Sequence, residues 1–331
     1  MSEVRGKLGS MREPKLPNSG RLAGIATTGE LLVAGLDDTS ITSLVRRGVL
    51  MPIVRGVYAC TESAAMVASG PNGERLLLAA AVVASCGVEA VASHQDAAVI
   101  HQIALLDRLP RAVSVTRPPS AGSKTGRPGV LLHGASLLDA HTTIGNKIPV
   151  TTVARTVIDL ARTVPFKAGV VTADSALHAR KTTKAELHAV IGIMTRWPGI
   201  DKARRVVEFA DGLAESPFES VARVAFDEWG LPKPQLQVDV GGEFVVGRAD
   251  FLWAEHNTIA EADGAAKYAD PKRAIRQLER DAELRAAGFE VVHFTWYDLH
   301  FRPLEVRRWI LEAFQRQAAM RMIGGLGRFP T

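Results

Sequence analysis

Cysteine is almost absent from this chain: Cys60 and Cys86 are the only two in 331 residues. Two thiols in unrelated contexts exclude a disulfide scaffold, a four-cysteine zinc site and a cysteine-held iron–sulfur cluster, and they point to a reducing, cytoplasmic setting. Long apolar runs are missing too. The longest, LLLAAAVVASC from Leu76 to Cys86, has eleven residues, whereas a bilayer span needs about 20. It reads as a buried helix, and no membrane is expected. Residues 1–20 contain no hydrophobic stretch, so they do not read as a secretory leader, and their Lys, Arg, Pro, Gly and Ser content predicts a flexible lead-in. No internal repeat or low-complexity tract stands out.

Charge of one sign is also scarce. A net +5 over 331 residues is too thin for a uniformly basic coat, so a nucleic-acid partner would need the cations concentrated. They are partly so. Residues 1–72 hold 8 basic and 6 acidic side chains, residues 73–200 hold 14 and 8, and residues 201–331 hold 18 and 21. Hydrophobic residues make up 47% of the chain, enough for real cores. At roughly 100–200 residues per domain, this length predicts more than one. The chain reads as an α/β (α+β) multidomain protein divided into 1–20, 21–72, 73–200 and 201–331.

In residues 21–72 a short helix is expected from Arg21 to Leu32, followed by a second ending at Arg47 with Thr39 or Ser40 as its N-cap and Gly48 as its stop. VLMPIVRGVYA then reads as two short strands around Gly56. Helix, turn, helix and basic hairpin is the layout of a winged helix-turn-helix. Thr42 and Ser43 are small hydroxyl residues able to reach base edges, and Arg46, Arg47 and Arg55 are placed for phosphates. A small helical domain with a solvated arginine face fits the same spacing.

LVRRGVLMPIVRGVYA, followed in order by SHQDAAVIHQIAL, AVSVTRPP and IPVTTVARTVIDLA, resembles the N-terminal region of the AbiEi family of antitoxin-like transcriptional regulators. The resemblance implies a DNA-binding regulator with Arg46, Arg47 and Arg55 as contacts, and a cognate toxin as partner.

Residues 73–200 predict helices over Glu74–Cys86 and Ser93–Leu106, strands in RAVSVTRPP and GVLLHG, and a helix VARTVIDLART carrying Arg155 and Asp159 four apart on one face. His94 and His101 lie two turns apart, and packing or capping roles are favoured over zinc.

Residues 201–331 are more informative. Ser216, Pro217 and Glu219 form the start signal of a helix. Strands follow in QLQVDV, EFVVGRADFLW and NTIAEADG, then a helix over Asp270–Ala287, a strand EVVHFTW and a last helix over Pro303–Met320. This αβββαβα order is that of the PD-(D/E)XK nuclease fold. Asp250 and Glu261 fall on adjacent strands, where two carboxylates suit a hard cation such as Mg2+ or Mn2+. Asp263 shares the strand parity of Glu261 and projects to the same face. A sheet edge of solvated acids, or acids paired with Arg248 and Arg280, is the competing reading.

GRADFLW, AEADG and ERDAELRAAGFEVVHFTWYDL resemble, in order, the small-nuclease family related to very-short-patch-repair endonucleases. The resemblance implies that Asp250 and Glu261 are metal carboxylates, Asp263 a companion acid and Glu219 an outer ligand, with Arg280 and Asp281 matching a helical Arg-Asp pair. Glu261-Ala262-Asp263 lacks the lysine of the wider superfamily's E-x-K. Lys267 stands where a histidine often follows Asp-Gly, able to supply a catalytic cation or bind phosphate, and His293 replaces an arginine. Two functions remain open: a Mg-dependent DNA endonuclease delivered by a winged helix, or an AbiEi-like transcriptional regulator whose nuclease-like domain is catalytically inactive.

Overall fold

The computed structural model describes residues 20–119, 127–241, 245–264 and 271–326. Its contacts divide the chain into two units, one running to Gln102 and including Leu109–Thr156, the other comprising Ile103–Arg108 and the chain from Val157 onward. Positions 72 and 200 fall inside these units.

The first unit opens with β1 (Ala26–Thr27), α1 (Thr28–Val33) and α2 (Asp38–Arg46). The first helix starts later than its expected position at Arg21 because Thr27 and Glu30 form a capping box: the Thr27 hydroxyl accepts the Glu30 N–H, and the Glu30 carboxylate accepts the Thr27 N–H at 2.8 Å. That arrangement satisfies two end amides at once and sets the boundary. The cap of α2 is Asp37, not Thr39 or Ser40; its carboxylate accepts the Ser40 N–H at 2.7 Å. A charged acceptor three residues ahead outcompetes the hydroxyls within the first turn.

Strands β2 (Leu50–Val54) and β3 (Val57–Cys60) form the expected hairpin, and β1 adds to it in the order β1-β3-β2. Gly56 at the turn has φ +74°, a conformation that favours glycine. Ala26, Leu31, Ile41, Leu44 and Leu50 form the small core of this module. Sequence pattern and packing thus agree on helix, turn, helix and hairpin, an order compatible with a winged helix.

The same unit continues through α3 (Thr61–Ala68), α4 (Gly73–Ser85), β4 (Val91–Ala92), α5 (His94–Ile100), β5 (Val113–Arg117), β6 (Val130–Gly134), β7 (Thr142–Gly145) and β8 (Ile148–Thr151). These five strands form a mixed sheet in the order β6-β5-β4-β8-β7. The alanine- and valine-rich α4 packs into the hydrophobic cluster that holds Val113, Val115, Ile148 and Val150. Helix α5 ends well before the expected Leu106, since Gln102 adopts a left-handed φ of +54°. His94 stacks on His133 at 3.7 Å, and His101 Nε2 lies 2.7 Å from the Thr151 carbonyl. Buried Arg155 reaches the ring of His141 at 3.4 Å, while Asp159 pairs with Arg162 at 3.3 Å.

Helix α6 (Val153–Thr163) leads into the second unit, which holds α7 (Phe166–His178), α8 (Lys184–Ile193), α9 (Ile200–Phe209) and α10 (Pro217–Glu228). A buried ion pair ties α7 to α10: Arg223 donates to Asp174 at 2.6 Å and also to the Phe209 carbonyl at 2.7 Å. Burial pushes the Asp174 carboxyl up to about 6 even though Arg223 and the Asp211 N–H favour its charged form. Next come β9 (Gln235–Gly241), β10 (Val245–Trp253), β11 (Thr258–Asp263), α11 (Pro271–Ala286), β12 (Glu290–Thr295), α12 (Trp296–Phe301) and α13 (Pro303–Leu326).

The sheet order is β12-β11-β10-β9, antiparallel except for the parallel β11–β12 pair. A parallel neighbour needs a long crossover, and α11 supplies it. The element order therefore matches the αβββαβ expectation, with one change: Trp296 opens α12 rather than ending the strand, because Thr295 caps that helix through Asp298. Phe226 packs edge-on against Phe251, Trp253 and Phe294 with ring centroids 5.1–5.9 Å apart, fastening α10 to the sheet. Among the described residues, no helix is long and apolar enough to cross a membrane.

Candidate carboxylate site and nucleic-acid interface

Helix α2 is amphipathic over only nine residues. Ile41 and Leu44 are buried, while Thr42, Ser43, Arg46 and Arg47 are exposed. Thr42 and Arg46, and likewise Ser43 and Arg47, are four apart and share one outward face. The Thr42 hydroxyl donates to the Asp38 carbonyl at 2.8 Å, which anchors the residue without covering it. Arg55 is exposed at the hairpin turn. Two hydroxyls and two cations on a helix, with a third cation on the adjoining wing, are the groups needed to meet bases and phosphates.

In the second unit, Glu219 sits in the first turn of α10 because Ser216 caps that helix. The Ser216 hydroxyl accepts the Glu219 N–H at 3.2 Å and donates to Glu219 Oε1 at 2.7 Å; the Glu215 N–H donates to Oε2 at 2.9 Å. From β9, Gln237 Nε2 donates to Glu219 Oε2 at 2.9 Å and approaches Asp250 Oδ1 at 3.4 Å. The register explains this meeting. Val238 pairs with Ala249 and Leu236 with Phe251, so Gln237 stands opposite Asp250. Gln237 also has a left-handed φ of +52°, which local sequence does not announce and which is expensive for a residue other than glycine.

The paired residues of β10 and β11 end at Phe251 and Ala260. One step further, where Asp250 would face Glu261, the Asp250 carboxylate instead accepts the Ala262 N–H at 2.9 Å. Glu261 is buried and takes a donor from α11: Arg280 reaches its Oε1 at 3.0 Å and the Arg248 carbonyl at 2.7 Å. Gly247 leaves the room for this, since a side chain there would collide with Arg280. Arg248 itself pairs with Glu215 at 2.7 Å.

Asp263, two residues on, contacts His293 Nδ1 at 3.0 Å, and the other ring nitrogen contacts Asp281 at 2.8 Å. Burial opposes protonation of His293, but the hydrogen bonds and negative charges of Asp263 and Asp281 outweigh it and raise the imidazole above its ordinary range. Burial also raises Glu219, and the charge of Asp250 adds to it, against the hydrogen bonds from Glu215, Ser216 and Gln237.

Asp250, Glu261, Asp263 and Glu219 lie on α10, β10 and β11, and each carries protein partners. Among the described residues no His, Cys, Asp or Glu group of three or more is arranged to hold a metal ion. The donor chemistry suits a hard cation nonetheless: carboxylate oxygens from α10 and β10 both lie within reach of the one Gln237 amide, and a cation relieves repulsion between neighbouring carboxylates. Lys267 lies outside the described residues. Nothing in the local sequence marks Gln237, whereas the grip of Arg280 on Glu261 is the arginine pairing that the competing reading of these acids expects.

Residues 18–61 match the family described as transcriptional regulator, AbiEi antitoxin. Two proteins of Mycobacterium tuberculosis, both described as uncharacterized, Rv2248 of strain H37Rv and MT2308 of strain CDC 1551, are each 30% identical over 185 residues, covering 53% of this chain and 68% of theirs. The crystal structure of the RV2827C protein from Mycobacterium tuberculosis overlaps at 17% identity with a TM-score of 0.39, covering 56% of this chain and 71% of that one, a likeness too distant to define the fold. The chain belongs to the same family as Rv2248 and MT2308, and it carries at its N-terminus a segment matching the AbiEi antitoxin transcriptional regulators.

Proposed function

We propose that this protein is a DNA-binding regulator of the AbiEi kind, in which α2 enters the major groove and the hairpin follows the adjacent backbone. The observation that carries this reading is the exposed face of α2, with Thr42, Ser43, Arg46 and Arg47 together on a helix inside the segment that matches the regulators. Arg46, Arg47 and Arg55 neutralise phosphates, and Thr42 and Ser43 meet base edges. A cognate toxin is the protein partner this kinship suggests. The test is retention of the gene's own upstream DNA in a gel-shift titration against unrelated duplex at several salt concentrations. Equal affinity for both duplexes would count against a regulator.

The convergence of Glu219 and Asp250 favours a second reading, in which the C-terminal sheet is a PD-(D/E)XK-like endonuclease domain. Asp250 and Glu261, with Glu219 behind them, would hold Mg2+ or Mn2+. Such an ion, when bound, polarises a phosphodiester and lowers the pKa of an attacking water. Asp263, joined to His293, is placed to receive a proton, and Lys267 would stabilise negative charge. Arg280 is the cation at Glu261, and Asp263 stands where the wider superfamily has its strand lysine. Incubation of supercoiled DNA with Mg2+ or Mn2+, beside Asp250→Ala and Glu261→Ala, decides between the readings. Nicking lost in both variants supports the endonuclease; absence of nicking by the native protein leaves a nuclease-like domain that is catalytically inactive.

A further inference from the structure

Away from the carboxylates, the second unit contains a cavity of about 600 Å³ whose lining includes Trp229, Trp296, Leu299, Lys167, Asp107 and Glu228. Its composition is mixed in an informative way. Trp296 is 44% exposed, although its ring is held edge-on against Phe218 at 5.3 Å, so a flat indole is presented to solvent in a fixed pose. Beyond it, Tyr297 and Phe301 are also exposed, with rings 4.8 Å apart and the Arg302 guanidinium 5.5 Å above Tyr297. Elsewhere in this unit the large aromatics Phe226, Phe251, Trp253 and Phe294 are buried. A run of exposed rings on one short helix departs from that economy, and of the three Trp296 lines the cavity.

The charged lining narrows the ligand. Asp107, Glu228 and Lys167 give the lining charges of both signs, which a wholly apolar guest would not use. A nucleobase offers a flat π face for an indole, N–H donors for carboxylates, and an attached phosphate for a lysine. The volume is within the range of small-molecule sites, roughly 300–1,000 Å³, and admits a base with its sugar. Position agrees as well: Thr295 pairs with Asp263 across the sheet, and Trp296 is the next residue along the chain.

We propose that the cavity receives an unstacked nucleobase of a DNA strand, stacked on Trp296, with its donor edge toward Asp107 and Glu228 and its phosphate at Lys167. This rests on the reading that the domain acts on nucleic acid, and it names the substrate class: DNA with an unpaired base. Stacking on one aromatic side chain is worth enough that its removal weakens binding about tenfold.

The test uses the full chain without metal and three fluorescent probes: a duplex with one unpaired 2-aminopurine, the same duplex fully paired, and the free 2-aminopurine nucleotide. The expected result is an emission change and tighter binding for the unpaired duplex, a loss of about tenfold in Trp296→Ala, recovery in Trp296→Phe, and paired-duplex affinity unchanged in both. Lys167→Gln, which leaves the aromatic packing intact, should weaken the same probe. Equal affinity of the native protein for paired and unpaired duplexes overturns the proposal, as does unaltered binding of the unpaired duplex by both Trp296→Ala and Lys167→Gln. Binding of the free nucleotide as tight as that of the unpaired duplex also overturns it, in favour of a nucleotide sensor. A nicking assay of the native chain with Mg2+ or Mn2+ separates the two ideas: a preserved emission change in a native protein that does not nick supercoiled DNA ends the endonuclease reading and leaves the base pocket standing.

Discussion

The guanidinium of Arg280 lies 3.0 Å from the carboxylate of Glu261, crossing the bare backbone of Gly247 to reach it. Glu261 is 2% exposed, and an acid so buried needs cationic or donor partners. Arg280 is thus both a structural clamp and a competitor for any cation at this site.

Substituting that clamp separates its two roles. Arg280→Ala removes a charge-assisted hydrogen bond from a buried acid and should destabilise the protein by about 2–3 kcal/mol. If Glu261 is a metal ligand, millimolar Mg2+ or Mn2+ should raise the melting temperature of Arg280→Ala more than that of the native protein. An equal shift in both would remove Glu261 from the ligand set.

Gly247→Ala tests the same geometry from the other side. The added methyl forces Arg280 aside, with an expected cost of about 1–3 kcal/mol from overpacking. In the Arg280→Ala background that cost should shrink, and a double-mutant cycle of thermal melts measures the coupling. Additive effects would mean that Gly247 matters for some other reason.

Asp174 sets a pH dependence. Its carboxyl is pushed up to about 6 from an ordinary value of 3.8, so the folded protein retains a proton that the unfolded chain sheds across this interval. Its contribution is fully present below the ordinary aspartate range and is lost as pH rises through about 6, at most about 3 kcal/mol in all. Denaturant titrations between pH 4 and 7 should show a shallower slope for Asp174→Asn than for the native chain. The same variant should be less stable at neutral pH, since it leaves the buried Arg223 without its counter-charge.

The winged module gives a salt-dependent prediction. Arg46→Ala and Arg47→Ala should each reduce the slope of log affinity against log salt by about one unit if the residue meets a phosphate. Thr42→Ala and Ser43→Ala should leave the slope unchanged and alter sequence preference. Asp37→Ala, which uncaps the nine-residue α2, should cost about 1 kcal/mol of stability and weaken binding to every duplex alike.

The kinds and order of elements were legible because their signals are local. Ser216, Pro217 and Glu219 mark the start of α10 within four positions, Gly48 and Gly56 punctuate the winged module, and alternating apolar residues announce β10 and β11. The boundaries are local too: Asp37 caps α2 ahead of Thr39 and Ser40, and Thr27 caps α1.

The acids themselves, Asp250, Glu261 and Asp263, could be picked from strand parity and from motif order. Of their partners only Arg280 was legible, as one of two arginines able to pair with the acids, and which acid it meets was not. Gln237 meets Asp250 only through the β9–β10 register and a left-handed backbone; Arg280 meets Glu261 only because α11 docks where Gly247 leaves space; and His293 joins Asp263 to Asp281 only after a parallel crossover. The cavity beside Trp296 likewise draws its walls from separate segments. The sequence by itself determined which residues are helical, extended or turning, since hydrogen-bond caps and side-chain periodicity act within a few positions. Tertiary structure alone decided which charges neutralise one another and which aromatic rings stay exposed, since those outcomes depend on strand register and helix docking across long stretches of chain.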